Sequence, residues 1–369
     1  MESINQVTKR DLLSLLPEEL TELILSLGEP KYRAEQMFSP MHHGVSPEEM
    51  TNLGKALKGK LSLVSYYFLP TVRRKLVSAL DGTVKYLFTL RDGNCVESVV
   101  MKYKHGNTIC ISSQVGCRMG CAFCASTIGG KVRDLLPSEM LGQIISAEKD
   151  LGERISNVVM MGIGEPLDNY DNVIRFLTLV GHEKGLNIGY RHISLSTCGL
   201  VNGIDRLARE NFPITLSISL HASDDETRSA IMPVNKKWNI DALLAACRRY
   251  YDATGRRISF EYTLIAGKND SPEAAGNLAR LLNGALRSPK DSSTFPIHVN
   301  LIPVNPVTET GFSASDKAAI DRFAAILEKK GIRATVRRRL GSDINASCGQ
   351  LRRAEEQKEE SPSSPPTVS

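Results

Sequence analysis

The chain has 369 residues, 41% hydrophobic and 24% charged, with a formal net charge of +5 and a pI near 8.7. This describes a soluble globular protein with room for one large α/β domain and a small accessory one. Met1 to Asp11 lack the apolar stretch of a signal peptide, and no apolar run approaches the ~20 residues that span a bilayer. A reducing cytoplasm is therefore expected, and the eight cysteines do not describe a secreted protein.

In chain order, the N-terminal stretch reads as small helices. Pro17, Glu18 and Glu19 start the first, Leu20, Leu23, Ile24 and Leu27 form its apolar face, and Gly28 ends it. Pro30 opens a second helix through Phe38, and Ser46-Pro47-Glu48-Glu49 is expected to cap a third. From about Phe68 to Ser112 the pattern has period two. Val84–Leu90, Val96–Met101 and Thr108–Ser112 read as strands, with turns at Asp81-Gly82, Asp92-Gly93 and His105-Gly106-Asn107.

Next comes the run Gly116-Cys-Arg-Met-Gly-Cys-Ala-Phe-Cys124, a C-x3-C-x2-C triad of Cys117, Cys121 and Cys124. Three thiolates this close can hold three irons of a 4Fe-4S cube, leaving the fourth iron open to a substrate. A structural zinc site is the alternative, but such sites usually close with four ligands, and no second cysteine pair follows. The triad, with Phe123 before its last cysteine, resembles the signature of the radical S-adenosylmethionine (SAM) superfamily. That resemblance implies SAM chelated on the free iron and cleaved to a 5′-deoxyadenosyl radical.

After the triad, strands and helices alternate. Strands are expected at Asn157–Met161, His192–Ser196, Ile214–Leu220, Ile258–Ile265, Ile297–Leu301 and Ala334–Arg337. Helices are expected at Ser138–Leu151, Asn172–Glu183, Gly203–Glu210, Ile240–Thr254, Pro272–Leu286 and Ser315–Lys330. Such alternation means parallel strands with right-handed crossovers, hence an α/β fold: a partial (βα)6 barrel behind a helical N-terminal domain and a β-rich connector. The divisions are 1–66, 67–107 and 108–353, with a charged, Pro/Ser-rich tail at 354–369 that reads as disordered. Active sites of such barrels lie at the carboxyl ends of the strands, where the triad falls. Gly162-Ile-Gly164-Glu165-Pro166, Ser196-Thr197, Ser219-Leu220-His221 and Asn305 lie at successive strand ends and together favour a ligand pocket. The close backbone approach that glycine allows and the carboxylate of Glu165 suit the SAM ammonium group. Cys95, Cys198 and Cys247 read as small buried hydrophobes. Basic clusters at Lys55/Lys58/Lys60, Arg73-Arg74-Lys75, Arg248-Arg249, Arg256-Arg257 and Arg337-Arg338-Arg339 raise nucleic acid as a partner.

Cys110-x-Ser-Ser-Gln-Val-Gly-Cys117, Gly-Ile-Gly-Glu-Pro166, Ile218-Ser-Leu-His-Ala222, Met232-Pro-Val-Asn235 and Ala-Ser-Cys348-Gly-Gln-Leu351 occur in that order. Together they resemble the bacterial dual-specificity RNA adenine-C2 methyltransferases over roughly residues 10 to 353. The resemblance implies a helical RNA-binding domain, a 4Fe-4S cluster, two SAM per turnover and an electron donor such as flavodoxin. It implies two substrates, 23S rRNA and tRNA, acted on by a cytoplasmic monomer. The implied metal ligands are Cys117, Cys121 and Cys124, and the implied SAM contacts Gly164, Glu165, Ser196, Ser219, Leu220, His221 and Asn305. Cys348 is implied to accept a methyl group, Glu97 to remove the C2 proton, and Cys110 to release the product by attacking Cys348. A sister family that methylates carbon 8 of the rRNA adenine shares Cys110, Glu97 and Cys348 and stays open as an alternative. So does a non-catalytic, zinc-stabilised RNA-binding protein. A glycyl-radical activating enzyme would have no use for Cys348.

Overall fold

A computed structural model describes residues 9–286, 296–305, 311–346 and 351. Arg10–Asp11 (β1) pairs in parallel with Ser65–Tyr66 (β2) and brackets three helices, Pro17–Ser26 (α1), Tyr32–His42 (α2) and Lys55–Val64 (α3). Helix α1 begins as expected. Pro17 is pre-organised for the first turn, Glu19 accepts the Leu16 N–H at 2.9 Å, and Leu20, Leu23 and Ile24 are buried. The third helix does not start at Ser46. Ser46 and Glu49 close a capping box on a single turn, and the helix begins after Gly54, where Leu57 and Leu61 can reach the core.

Thr71–Val77 (β3), Val84–Thr89 (β4), Cys95–Tyr103 (β5) and Gly106–Cys110 (β6) form an antiparallel meander. Thr71–Val77 escaped the sequence reading because four of its seven residues are charged or threonine and most of the strand is exposed. Gln114–Gly116 (β7) and Lys131–Asp134 (β8) make a small hairpin around the cysteine loop. Ile155–Met160 (β9) then joins the free side of β6 in parallel. Ile193–Thr197 (β10), Thr215–Ser219 (β11), Ile258–Leu264 (β12), Ile297–Pro303 (β13) and Arg333–Val336 (β14) follow side by side, all parallel. The result is one ten-stranded sheet whose ends, β14 and β3, do not pair, so the barrel is open. The meander continues the barrel sheet through β6.

Crossovers run through Pro137–Leu151 (α4), Tyr170–Val180 (α5), Val201–Leu207 (α6), Asp225–Ile231 (α7), Ile240–Thr254 (α8), Pro272–Ala285 (α9) and Lys317–Lys329 (α10). Helix α7 is absent from the sequence expectations: at seven residues it is too short for periodicity to reveal, although the Asp224 side chain caps it by accepting the Thr227 N–H. Every residue of β12 is buried, as expected of a strand covered on both faces. The N-terminal helices share one core with the barrel: Asp11 and Ser14 hydrogen-bond Ser138 at the start of α4, and Leu13, Met37 and Leu141 belong to the same apolar cluster. No helix among the described residues is long and apolar enough to cross a membrane.

Candidate active site

The cysteine loop leaves β7 through Gly116, whose φ of +76° only glycine adopts without strain. A Cβ there would lie 2.0 Å from the Gly130 carbonyl oxygen, which accepts the Cys117 N–H at 3.1 Å. Asp168 holds the loop from outside. It accepts from Arg118, from Lys131 at 3.0 Å and from Gln114 at 2.9 Å. Burial pushes the Asp168 carboxyl up, but these donors bring it below the ordinary aspartate value. From inside, the Ala122 N–H binds the Ile231 carbonyl, and Met232 and Val234 pack against Cys121.

Cys117 and Cys121 are buried and Cys124 half-buried. Burial drives the Cys117 thiol up to about 12 and the Cys121 thiol further; Cys117 also feels the charge of Cys124, and Cys121 that of both Cys124 and Cys117. Three soft donors in one loop, two of them raised by burial, suit a cationic iron cluster that would neutralise all three thiolates. Among the described residues no three His, Cys, Asp or Glu side chains converge on a single ion. In a cube each thiolate takes its own iron, so convergence on one point is not required.

The strand ends beside the loop are tied to it. Gln114 Oε1 accepts the Glu165 N–H at 2.9 Å, and a Cβ on Gly164 (φ +107°) would strike Gln114 at 2.6 Å. Glu165 is fully buried. Desolvation raises its carboxyl, opposed by the Cys198 N–H at 2.7 Å and the Leu167 N–H at 3.0 Å. Its carboxylate thus already joins β9 to the end of β10. Ser196 and Ser219 are half-buried, and Leu220 is buried with its carbonyl taken by Arg228 at 3.1 Å. His221 adopts φ +58°, accepts the Thr263 N–H on Nδ1 at 2.9 Å, and is kept neutral by burial, its pKa lowered to about 3.

A cavity of about 500 Å³ opens beside these ends, lined by Cys110, Phe123, Cys124, Met161, Thr263, Asn305 and the run Arg337 to Gly341. Of the site residues expected from sequence, it brings together Cys110, Cys124 and Asn305. Gly164, Glu165, Ser196, Ser219, Leu220 and His221 flank it without lining it. Glu97 is buried on β5, on the same face as Val99, which pairs with Cys110, and its Oε2 lies 3.0 Å from Lys85 Nζ. Cys348 and the tail lie outside the described residues. The segment leading to Cys348, Leu340 to Ala346, borders the cavity and is bound to the β3–β4 turn.

Four residues of this frame were not singled out from the sequence: Lys85, Asp168, Arg228 and, beyond its place in the motif, Gln114. Lys85 left a signal, a lysine within Val84-Lys-Tyr-Leu-Phe88. Arg228 left little. It is buried and donates to the carbonyls of Cys198, Ser219 and Leu220, joining the ends of β10 and β11. Cys247 is core as expected; Cys198 is buried too, but against Cys121. Of the basic clusters, Arg337–Arg339 stand at the cavity mouth, whereas Arg249 pairs with Asp205, Lys75 with Asp150 and Lys60 with Glu29.

Residues 111–279 match the model of the radical SAM superfamily, and residues 10–66 match that of the ribosomal RNA large subunit methyltransferase N-terminal domain. A protein of Clostridium acetobutylicum named probable dual-specificity RNA methyltransferase RlmN is 52% identical over 91% of this chain and 94% of its own length. One of the same name from Alkaliphilus oremlandii is 52% identical over 94% and 98%. The crystal structure of a radical SAM methyltransferase from Sphaerobacter thermophilus superposes with a TM-score of 0.85 at 42% identity, covering 92% of this chain and 98% of that one. The superfamily carries a 4Fe-4S cluster and SAM, which the thiol pocket fits. The chain belongs to the RlmN family of dual-specificity RNA methyltransferases, enzymes of the radical SAM superfamily.

Proposed function

We propose that this enzyme methylates carbon 2 of adenosine in 23S rRNA and in tRNA through an S-methylcysteine, using two SAM per turnover. The observation that carries the reading is the cavity in which Cys110, the cysteine loop and the segment leading to Cys348 meet. Carbon 2 of adenine is not nucleophilic, so direct displacement on the SAM methyl group fails and a carrier is needed. The Cys348 thiolate would attack the methyl carbon of SAM, forming a C–S bond as S-adenosylhomocysteine leaves. Cys117, Cys121 and Cys124 would hold the cluster, which with a second SAM would supply the chemistry that abstracts hydrogen from that methyl group. Gly164, Glu165, Ser196, Ser219, Leu220, His221 and Asn305 form the SAM-binding rim. The base leaves its stack to enter the cavity, and Arg337–Arg339 meet the surrounding phosphates.

The RNA joined to Cys348 through the methylene carries an odd electron, which a one-electron acceptor such as the oxidised cluster would take up, and Glu97 accepts the C2 proton, leaving a closed-shell thioether. Cys110 then attacks Cys348 sulfur. The sulfur–methylene bond breaks with its electron pair on carbon, which takes a proton to become the methyl group, and the two cysteines are left as a disulfide. An external reductant such as flavodoxin supplies electrons, and the enzyme works as a cytoplasmic monomer.

The test is anaerobic cluster reconstitution, reaction with SAM, reductant and unmodified RNA, and chromatography of the nucleosides against 2-methyl- and 8-methyladenosine. The 2-methyl isomer is expected from both rRNA and tRNA; the 8-methyl isomer would move the enzyme to the sister activity. In Cys110→Ala, protein joined covalently to RNA should accumulate and disappear again in Cys110→Ala/Cys348→Ala.

A further inference from the structure

Lys85 lies in β4 among Val84, Tyr86, Leu87 and Phe88, with 1% of its side chain exposed. Burying an ammonium group is costly unless it is paired and hydrogen-bonded, and an apolar pair of similar volume is often no less stable. Its presence here therefore follows from what it binds. One of its N–H groups meets Glu97 Oε2 at 3.0 Å, where the carboxylate is itself only 2% exposed. Another donates to the Asn345 carbonyl at 3.0 Å, three residues before Cys348. Pairing of Lys85 with Val99 across the sheet puts Lys85, Glu97, Val99 and Cys110 on one face.

The same arm is latched from outside. Asp343 accepts the Ser78 hydroxyl at 2.7 Å and the Ala79 N–H at 2.9 Å, and Asp81 accepts the Gly341 N–H at 2.8 Å. Those contacts fasten the arm to the β3–β4 turn at the surface. Lys85 reaches it from the barrel interior through a group that also holds the carboxylate.

We propose that Lys85 is a positioning residue of the methyl-transfer site, fixing the Glu97 carboxylate and seating the arm that carries Cys348. The proposal rests on the roles of Glu97 and Cys348 given above. One ammonium group, with its N–H donors fixed on both partners, links the geometry of the proton acceptor to docking of the arm. Release of the arm removes one of the acceptors that hold Lys85 in place, and loss of Lys85 takes one contact from each partner.

The test compares whole-chain Lys85→Met, Glu97→Gln and the double variant. The measurements are cluster absorbance, Cys348 S-methylation by peptide mass, covalent RNA adduct on denaturing gels, and amide exchange of residues 341–346. Lys85→Met should keep the cluster and the S-methyl mark, trap the adduct, and exchange amides of the arm about tenfold faster than wild type. Glu97→Gln should trap the adduct with the arm as protected as in wild type. Adding Lys85→Met to Glu97→Gln should not slow adduct resolution further, because the two act as a unit.

Wild-type turnover and wild-type arm exchange in Lys85→Met overturn the proposal. So does a loss of S-methylation, cluster and product in equal proportion, which marks a merely structural role. Glu97→Gln turning over normally sinks the proton-acceptor reading alone, and arm exchange in Lys85→Met then decides for Lys85. If Lys85→Met is insoluble, the double variant leaves no uncompensated buried charge; wild-type arm exchange there overturns the proposal.

Discussion

The rings of Phe123 and His221 meet edge to face with their centroids 5.0 Å apart, joining the cysteine loop to the end of β11. His221 reaches that position through a left-handed backbone, φ +58°. Leucine there costs about 1–2 kcal/mol in conformation and leaves the buried Thr263 N–H without its acceptor, roughly 1–3 kcal/mol more. His221→Leu should therefore lower stability by about 2–5 kcal/mol and loosen the loop, seen as a lower thermal midpoint and reduced iron content. His221→Asn should lose less, since asparagine tolerates this conformation.

Gly116→Ala should separate cluster loading from folding. The new Cβ would sit 2.0 Å from the Gly130 oxygen, so the base of the cysteine loop must open. Iron bound per chain after anaerobic reconstitution should fall severalfold while far-ultraviolet circular dichroism is retained. Unchanged iron content would mean that the thiols reach the cluster without this turn.

Arg338 is exposed at the cavity mouth, whereas Arg249 is bound bidentately by Asp205 on the outer helical face. Arg338→Ala should weaken RNA binding and reduce the slope of log affinity against log salt by about one, the signature of one lost phosphate contact. Arg249→Ala should leave that slope unchanged. Fluorescence anisotropy with labelled RNA at several salt concentrations measures both.

Acid should destabilise the N-terminal helices through His42. This ring is fully buried, with Nδ1 2.9 Å from the Phe38 carbonyl and Nε2 lacking a partner among the described residues. Desolvation lowers its pKa from 6.5 to about 4. The folded state keeps it neutral while the unfolded chain protonates, so its contribution is intact above about pH 6.5 and is lost as pH falls towards 4. The loss is about 2 kcal/mol by pH 5 and roughly 3 kcal/mol at completion. Urea unfolding at pH 7 and pH 5 should show a loss about 2 kcal/mol smaller in His42→Leu than in wild type, since His221 contributes its own loss in both.

By itself, the sequence determined what local spacing encodes. The triad needs no tertiary contact to be recognised, because its ligands lie within eight residues. The βα alternation is equally local, each strand and helix declaring its own period, so the open barrel and the placing of Cys110, the triad and Asn305 at strand ends were legible. Short or exposed elements were not. Helix α7 has too few residues to show a period, β3 is written in charged residues, and the capping box at Ser46 closes on a single turn, the helix starting only after Gly54. Only the tertiary structure decided which polar residues meet. Glu165 was legible as a strand-end carboxylate, yet its use in binding the Cys198 N–H depends on how β10 lies beside β9. Lys85 lies 12 residues before Glu97 and 260 before Asn345; pairing of β4 with β5 brings the first two together, and the arm fastened to the β3–β4 turn brings the third within hydrogen-bond reach. Sequence periodicity reports burial, which is a property of single residues, whereas a buried ion pair is a property of register between strands, and register is fixed only when the whole sheet forms.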